Sequence, residues 1–118
     1  MKQIDLMDCL IGRFFFKKTN NGNIIGEFSN NRINFISSES ADIQNHNDPS
    51  NFIGIYNTTW QEQENPSFAK LTISFKQNTS DRIYKLEWTE QNGELIFIGE
   101  GFVFENSLIG DYRNFNII

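Results

Sequence analysis

The chain reads as an all-β protein: an eight-stranded antiparallel up-and-down barrel led by a short N-terminal helix. Three observations predict this. Turn signals recur at the spacing of about eight to twelve residues expected of short antiparallel strands. The runs between them are aromatic, with 14% Phe, Trp and Tyr and twelve phenylalanines, residues that favour strands over helices. Glycines stand inside the runs at Gly26, Gly54, Gly99, Gly101 and Gly110, where they cost stability unless a strand bends sharply, as closing a barrel requires. A barrel of about eight strands has an interior just large enough for side chains or one small ligand.

The elements follow in order. Ile4, Met7, Leu10 and Ile11 sit at helical spacing with Asp5 and Asp8 near the start and Gly12 as a stop, which predicts a helix over residues 3–10. Arg13 to Thr19 reads as a strand, and Asn20-Asn21-Gly22-Asn23 as a hairpin turn, because Asn and Gly tolerate positive φ. Strands are then expected at Ile24–Ser29 and Arg32–Ser38, with Ala41-Asp42-Ile43-Gln44 as a possible ninth. The polar loop around His46 leads to Phe52–Trp60, and Asn65-Pro66 breaks the chain again. Ala69–Lys76, Ile83–Thr89, Leu95–Phe104 and Leu108–Phe115 complete the set. No linker divides residues 1–118, and that length suits one domain.

The last three strands permit a register prediction. A two-residue turn at Asn92-Gly93 sets Trp88 opposite Phe97, Leu86 opposite Gly99, Tyr84 opposite Gly101 and Lys85 opposite Glu100. A second turn at Asn106-Ser107 sets Gly101 opposite Tyr112, Val103 opposite Gly110 and Glu100 opposite Arg113. Rings packed over cross-strand glycines and paired opposite charges both stabilise a sheet.

Leu10-Ile11-Gly12-Arg13-Phe14 resembles the opening Gly-x-Trp segment of lipocalins, with Phe in place of Trp. Phe52-Ile53-Gly54-Ile55-Tyr56 resembles the Phe-x-Gly-x-Tyr stretches of several small barrels, and Arg113 on the last strand resembles the arginine that closes one end of a lipocalin. Together they resemble the calycin group of lipocalins, fatty-acid-binding proteins and avidins. That resemblance implies an eight-stranded barrel, and the architecture hosts binders and enzymes alike.

Composition narrows the function. A net charge of −5 repels phosphate backbones and argues against nucleic-acid binding. No apolar run approaches the ~18 residues of a membrane helix, and Met1–Asp8 is too acidic for a secretion signal. No membrane association and a cytoplasmic location are the expectation. One histidine and one cysteine offer no metal site and no disulfide, so neither metal nor cofactor is expected. Cys9 reads as a buried, unreactive thiol.

Two surfaces remain. Tyr56, Trp60, Tyr84, Trp88, Phe97 and Tyr112 are the candidate ligand-binding residues: rings to line a pocket, with polar tips to orient a small apolar or amphipathic ligand. Ile96, Ile98, Phe102, Phe104 and Ile109 form an apolar outer face, joined by Phe115. Monomers rarely leave such a patch in water, so a homodimer is expected across it. A filled barrel acting through that outer face is the alternative to ligand binding. A further alternative is an acid–base enzyme using a carboxylate, an Arg and a Tyr. It draws on Lys85, Glu100, Asp111 and Arg113, whose predicted register makes them an external charge row.

Overall fold

The computed structural model describes residues 9–45, 50–62, 64–79 and 82–115. Eight strands run in chain order: β1 (Ile11–Lys18), β2 (Ile24–Asn30), β3 (Ser37–Asn45), β4 (Gly54–Glu62), β5 (Asn65–Phe75), β6 (Tyr84–Thr89), β7 (Leu95–Phe104) and β8 (Ser107–Asn114). Each pairs antiparallel with its neighbours, and β1 pairs with β8 to close the barrel. Closure removes sheet edges that would otherwise be left unpaired. Among the described residues there is no helix, and none long and apolar enough to cross a membrane. Most of the helix expected over residues 3–10 lies outside the described residues; Cys9 and Leu10 are not helical.

Alternation explains most of the strands. In β1 the inward Phe14 and Phe16 are buried while Arg13 and Lys17 are exposed. In β6 the inward Tyr84, Leu86 and Trp88 are buried. The first hairpin turns on Gly22, whose φ of 89° suits the left-handed position of a three-residue loop. Thr19 and Asn23 close that loop with a 2.8 Å backbone bond.

The β6–β7 register is as predicted: Tyr84 lies opposite Gly101, Leu86 opposite Gly99, Trp88 opposite Phe97 and Lys85 opposite Glu100. The turn that sets it is longer than two residues. The Gly93 N–H bonds to the Glu90 carbonyl, and a bulge between Trp88 and Thr89 restores the register. Ile96 is the extra residue of that bulge; it packs against the core instead of joining the outer face.

The β7–β8 register differs from the prediction by two residues. Gly101 lies opposite Gly110, Gly99 opposite Tyr112, Glu100 opposite Asp111 and Ile98 opposite Arg113. Glu105 and Asn106 carry the positive φ values of a two-residue hairpin turn, 49° and 66°, so the turn sits one residue earlier than Asn106-Ser107. A slip of two keeps every side chain on its face, and Tyr112 remains inside. Tyr112 and Trp88 therefore flank Gly99, while a Cβ at Gly101 would meet the Ile109 carbonyl and Leu108.

Two further elements depart from the sequence reading. Residues 32–36 are a loop, and β3 begins at Ser37. Ala41-Asp42-Ile43-Gln44 is the body of β3, not a ninth strand. Asn65 and Pro66 open β5 and pair with Glu62 and Gln61, since proline is tolerated at a strand's first residues.

Candidate functional site

The strands divide the interior into two ends. The β1–β2 turn, the segment before Gly54 and the β5–β6 and β7–β8 connections lie at one end. The 31–36 loop, the β4–β5 and β6–β7 turns and residues Leu10 and Phe115 lie at the other. The six candidate ligand-binding residues all point inward, but they separate between these ends.

Tyr56 and Tyr84 belong to the first end, where they make a solid plug. The Tyr56 hydroxyl donates to the Phe52 carbonyl at 2.8 Å. Phe52 and Tyr84 meet edge to face at 6.0 Å, and Phe75 lies 4.8 Å from Tyr84. Burial, followed by the proximity of Tyr84, pushes the Tyr56 hydroxyl up to about 12. These two tyrosines are not among the residues lining the cavity at the other end.

Trp60, Trp88, Phe97 and Tyr112 belong to the second end. With Phe14 and Phe28 they wall a cavity of about 920 Å³. The rings meet mostly edge to face: Phe14–Trp88 at 6.0 Å, Trp60–Phe97 at 6.1 Å and Phe97–Tyr112 at 5.7 Å. Tyr112 is fixed by a 3.0 Å hydrogen bond that the Asn30 amide donates to its hydroxyl. The loop following β2 rims the cavity with Arg32, Ile33 and Phe35. That loop is tied to the chain entering β1: the Asn31 side chain accepts from Ile11 N–H at 2.9 Å and donates to the Cys9 carbonyl at 2.8 Å.

The sequence reading missed the most distinctive group of the cavity, Glu39. It points inward from β3, is 7% exposed, and is the one acidic residue among the described lining. Its Oε2 accepts from the Thr58 hydroxyl at 2.5 Å and from Trp88 Nε1–H at 2.9 Å. The bond to Trp88 crosses the interior from β3 to β6. Burial raises the carboxyl from 4.5 to about 7, against the opposing pull of the two hydrogen bonds. A carboxyl poised there exchanges its proton at neutral pH. One signal was present in the chain: Glu39 shares the inward parity of Ala41 and Ile43.

The charge row lies outside, as its predicted face requires. Glu100 pairs with Lys76 at 2.8 Å and Lys85 with Glu87 at 3.8 Å. Asp111 and Arg113 are exposed, whereas the Tyr112 ring is buried and packs inward against Trp88. No cluster of metal ligands occurs among the described residues, and His46 lies outside them. Cys9 is half-buried. Of the outer apolar face, Phe102 and Phe104 are 55% and 59% exposed, while Ile98 and Ile109 are half-buried.

A closed eight-stranded barrel with an aromatic cavity at one end is thus the class of protein that the fold and site define. No protein family, no curated protein and no solved structure matches the chain.

Proposed function

We propose that the protein binds a small apolar or amphipathic ligand in the cavity between Phe14, Phe28, Trp60, Trp88, Phe97 and Tyr112. The observation that carries this reading is the coexistence, among the described residues, of one end packed with rings and one end with a cavity. Ligand pockets typically measure about 300–1,000 Å³ and are walled by apolar and aromatic side chains with a few placed polar groups. A cavity of about 920 Å³ with Glu39, Asn30 and Tyr112 among its rings is of this kind. The apolar rim residues Ile33 and Phe35 suit the entry of an apolar guest. A calycin-type relationship and a cytoplasmic location accompany this reading and rest on the sequence alone.

The test is native mass spectrometry combined with a fluorescent apolar probe such as anilinonaphthalene sulfonate. Both tryptophans of the chain border the cavity, so a guest there changes their emission. The expected result is retained small-molecule mass or saturable probe binding that quenches tryptophan. A bare chain with no probe response would remove the reading.

A second reading is a homodimer or protein contact across the outer face, favoured by the exposure of Phe102 and Phe104. It predicts concentration-dependent dimers in sedimentation experiments that Phe102→Ser with Phe104→Ser abolishes. A wild-type chain that sediments as a monomer at all concentrations would exclude the homodimer.

A further inference from the structure

We propose that the ligand of this cavity is an organic cation, an ammonium on an apolar body, whose charged head meets the Glu39 carboxylate among the rings of Phe14, Trp60, Trp88 and Tyr112. The proposal rests on the ligand-binding reading above and names the chemistry of its guest.

Glu39 is nearly fully buried, yet it borders open space. Its hydrogen bonds from Thr58 and Trp88 both fall on Oε2, leaving Oε1 with neither donor. The ion pairs among the described residues are Lys76–Glu100 and Lys85–Glu87, far from it on the outer surface. A buried carboxylate without a counter-charge is costly to hold. The Trp88 indole can only donate, so this partner favours the ionised acid. An apolar residue at position 39 would fill the space at lower cost. Among the described residues, the arrangement therefore presents a negative group without its cation.

The surroundings suit that cation. Aromatic faces carry negative potential and attract ammonium groups, with tryptophan the most effective. Trp88 bonds the carboxyl, Trp60 is the cross-strand partner of Glu39, and Phe14 and Tyr112 line the same cavity. The other ionisable groups of the lining are Tyr112 and Arg32, and Arg32 is exposed at the rim. A cationic head is therefore drawn past the rim to Glu39, while Arg32, the one positive group of the described lining, stands at the mouth. A bound cation also favours proton loss from the carboxyl, which burial holds at about 7.

The test compares three probes of one chain length, used below their micelle concentrations: decyltrimethylammonium, decanol and decanoate. Binding is read from tryptophan emission. The full chain should take decyltrimethylammonium about tenfold more tightly than decanol. That advantage should grow as pH rises through about 7, because this probe does not titrate and Glu39 does. Glu39→Gln should erase the advantage and leave decanol within about threefold of its wild-type affinity. Equal or tighter binding of decanol or decanoate by the wild type overturns the cation proposal while keeping the ligand-binding reading. Retention of the ammonium preference in Glu39→Gln overturns the role of the carboxylate. Binding of none of the three removes both readings. The head-group comparison needs only the wild-type chain, so a variant that fails to fold leaves the test decisive.

Discussion

The two ends of the barrel are built from the same residue types and behave differently. At the plugged end Phe52, Tyr56, Phe75 and Tyr84 lie against one another, and their polar atoms are tied to the chain itself. At the open end Phe14, Trp60, Trp88, Phe97 and Tyr112 stand around a void, held apart by edge-to-face contacts. The difference extends to charge. Within the plug the Tyr56 hydroxyl is pushed up to about 12 and keeps its proton near neutrality; Glu39 is brought to about 7 and does not. Aromatic content alone therefore does not distinguish core from pocket. The deciding variables are where along the barrel axis a ring falls and whether a buried charge accompanies it.

The largest expected effect tests that contrast in packing. Tyr84→Ala should destabilise by about 3–5 kcal/mol, the range for removing a large aromatic from a close-packed core. Trp60→Ala should cost about 2 kcal/mol less, because a ring beside a void has fewer contacts to lose. Denaturant midpoints of the two variants measure this. Equal losses would mean that both ends are filled alike.

The second effect is electrostatic. The Glu39 carboxyl is raised by folding, from 4.5 to about 7. Below the lower value it is protonated in both states, and the full contribution to stability is present. As pH rises between the two, the unfolded chain releases its proton while the folded chain retains it, so stability falls; above the upper value the loss is complete. A separation of this size corresponds to about 3 kcal/mol. Unfolding measured between about pH 4.5 and 7.5 should show that decline in the wild type, and Glu39→Gln should lack it. A variant that keeps the same slope would assign it to another group.

The third concerns what surrounds two glycines. A Cβ at Gly110 would lie 2.0 Å from the Glu100 carbonyl, which is backbone and cannot step aside. A Cβ at Gly12 would meet the Tyr112 ring at 2.3 Å, and that ring has the cavity to move into. Gly110→Ala should cost about 2–3 kcal/mol, and Gly12→Ala about 1 kcal/mol, chiefly through the lost Asn30–Tyr112 hydrogen bond. Thermal unfolding ranks them; the reverse order would mean that the open end has no slack.

Sequence and structure agree where turn chemistry and alternation reinforce each other. The β6–β7 pairing was legible because Tyr84, Leu86 and Trp88 alternate cleanly and Gly93 takes the left-handed position the turn requires. The β7–β8 pairing was legible only to within two residues, since Glu105 is an unexpected occupant of positive φ. β3 was misread for a physical reason. Ile33, Phe35 and Ile36 form the apolar run that resembles a strand, yet they rim the cavity or face solvent. The true strand turns Ser37, Glu39 and Ala41 inward. Hydrophobic alternation fails where a strand lines a polar spot in the barrel, and local rules are most often broken at such functional places. Four of the six candidate residues line the cavity at the second end; the carboxyl that shares it was hidden by its own polarity.

The smallest effect separates the inner carboxylate from an outer one. Glu100 also faces a cation, Lys76 at 2.8 Å, but both side chains are more than two-fifths exposed, at 49% and 42%. Water screens the pair, so Glu100→Gln should change stability by less than about 0.5 kcal/mol at neutral pH. The same change at Glu39 exchanges a buried acid for an amide and alters both the pH slope and the cavity's charge. Measured side by side, the two substitutions show whether burial, not the presence of a carboxylate, sets the energetic importance of an acid in this barrel. A loss above ~1 kcal/mol at Glu100 would place that charge in a drier setting than the outer face provides.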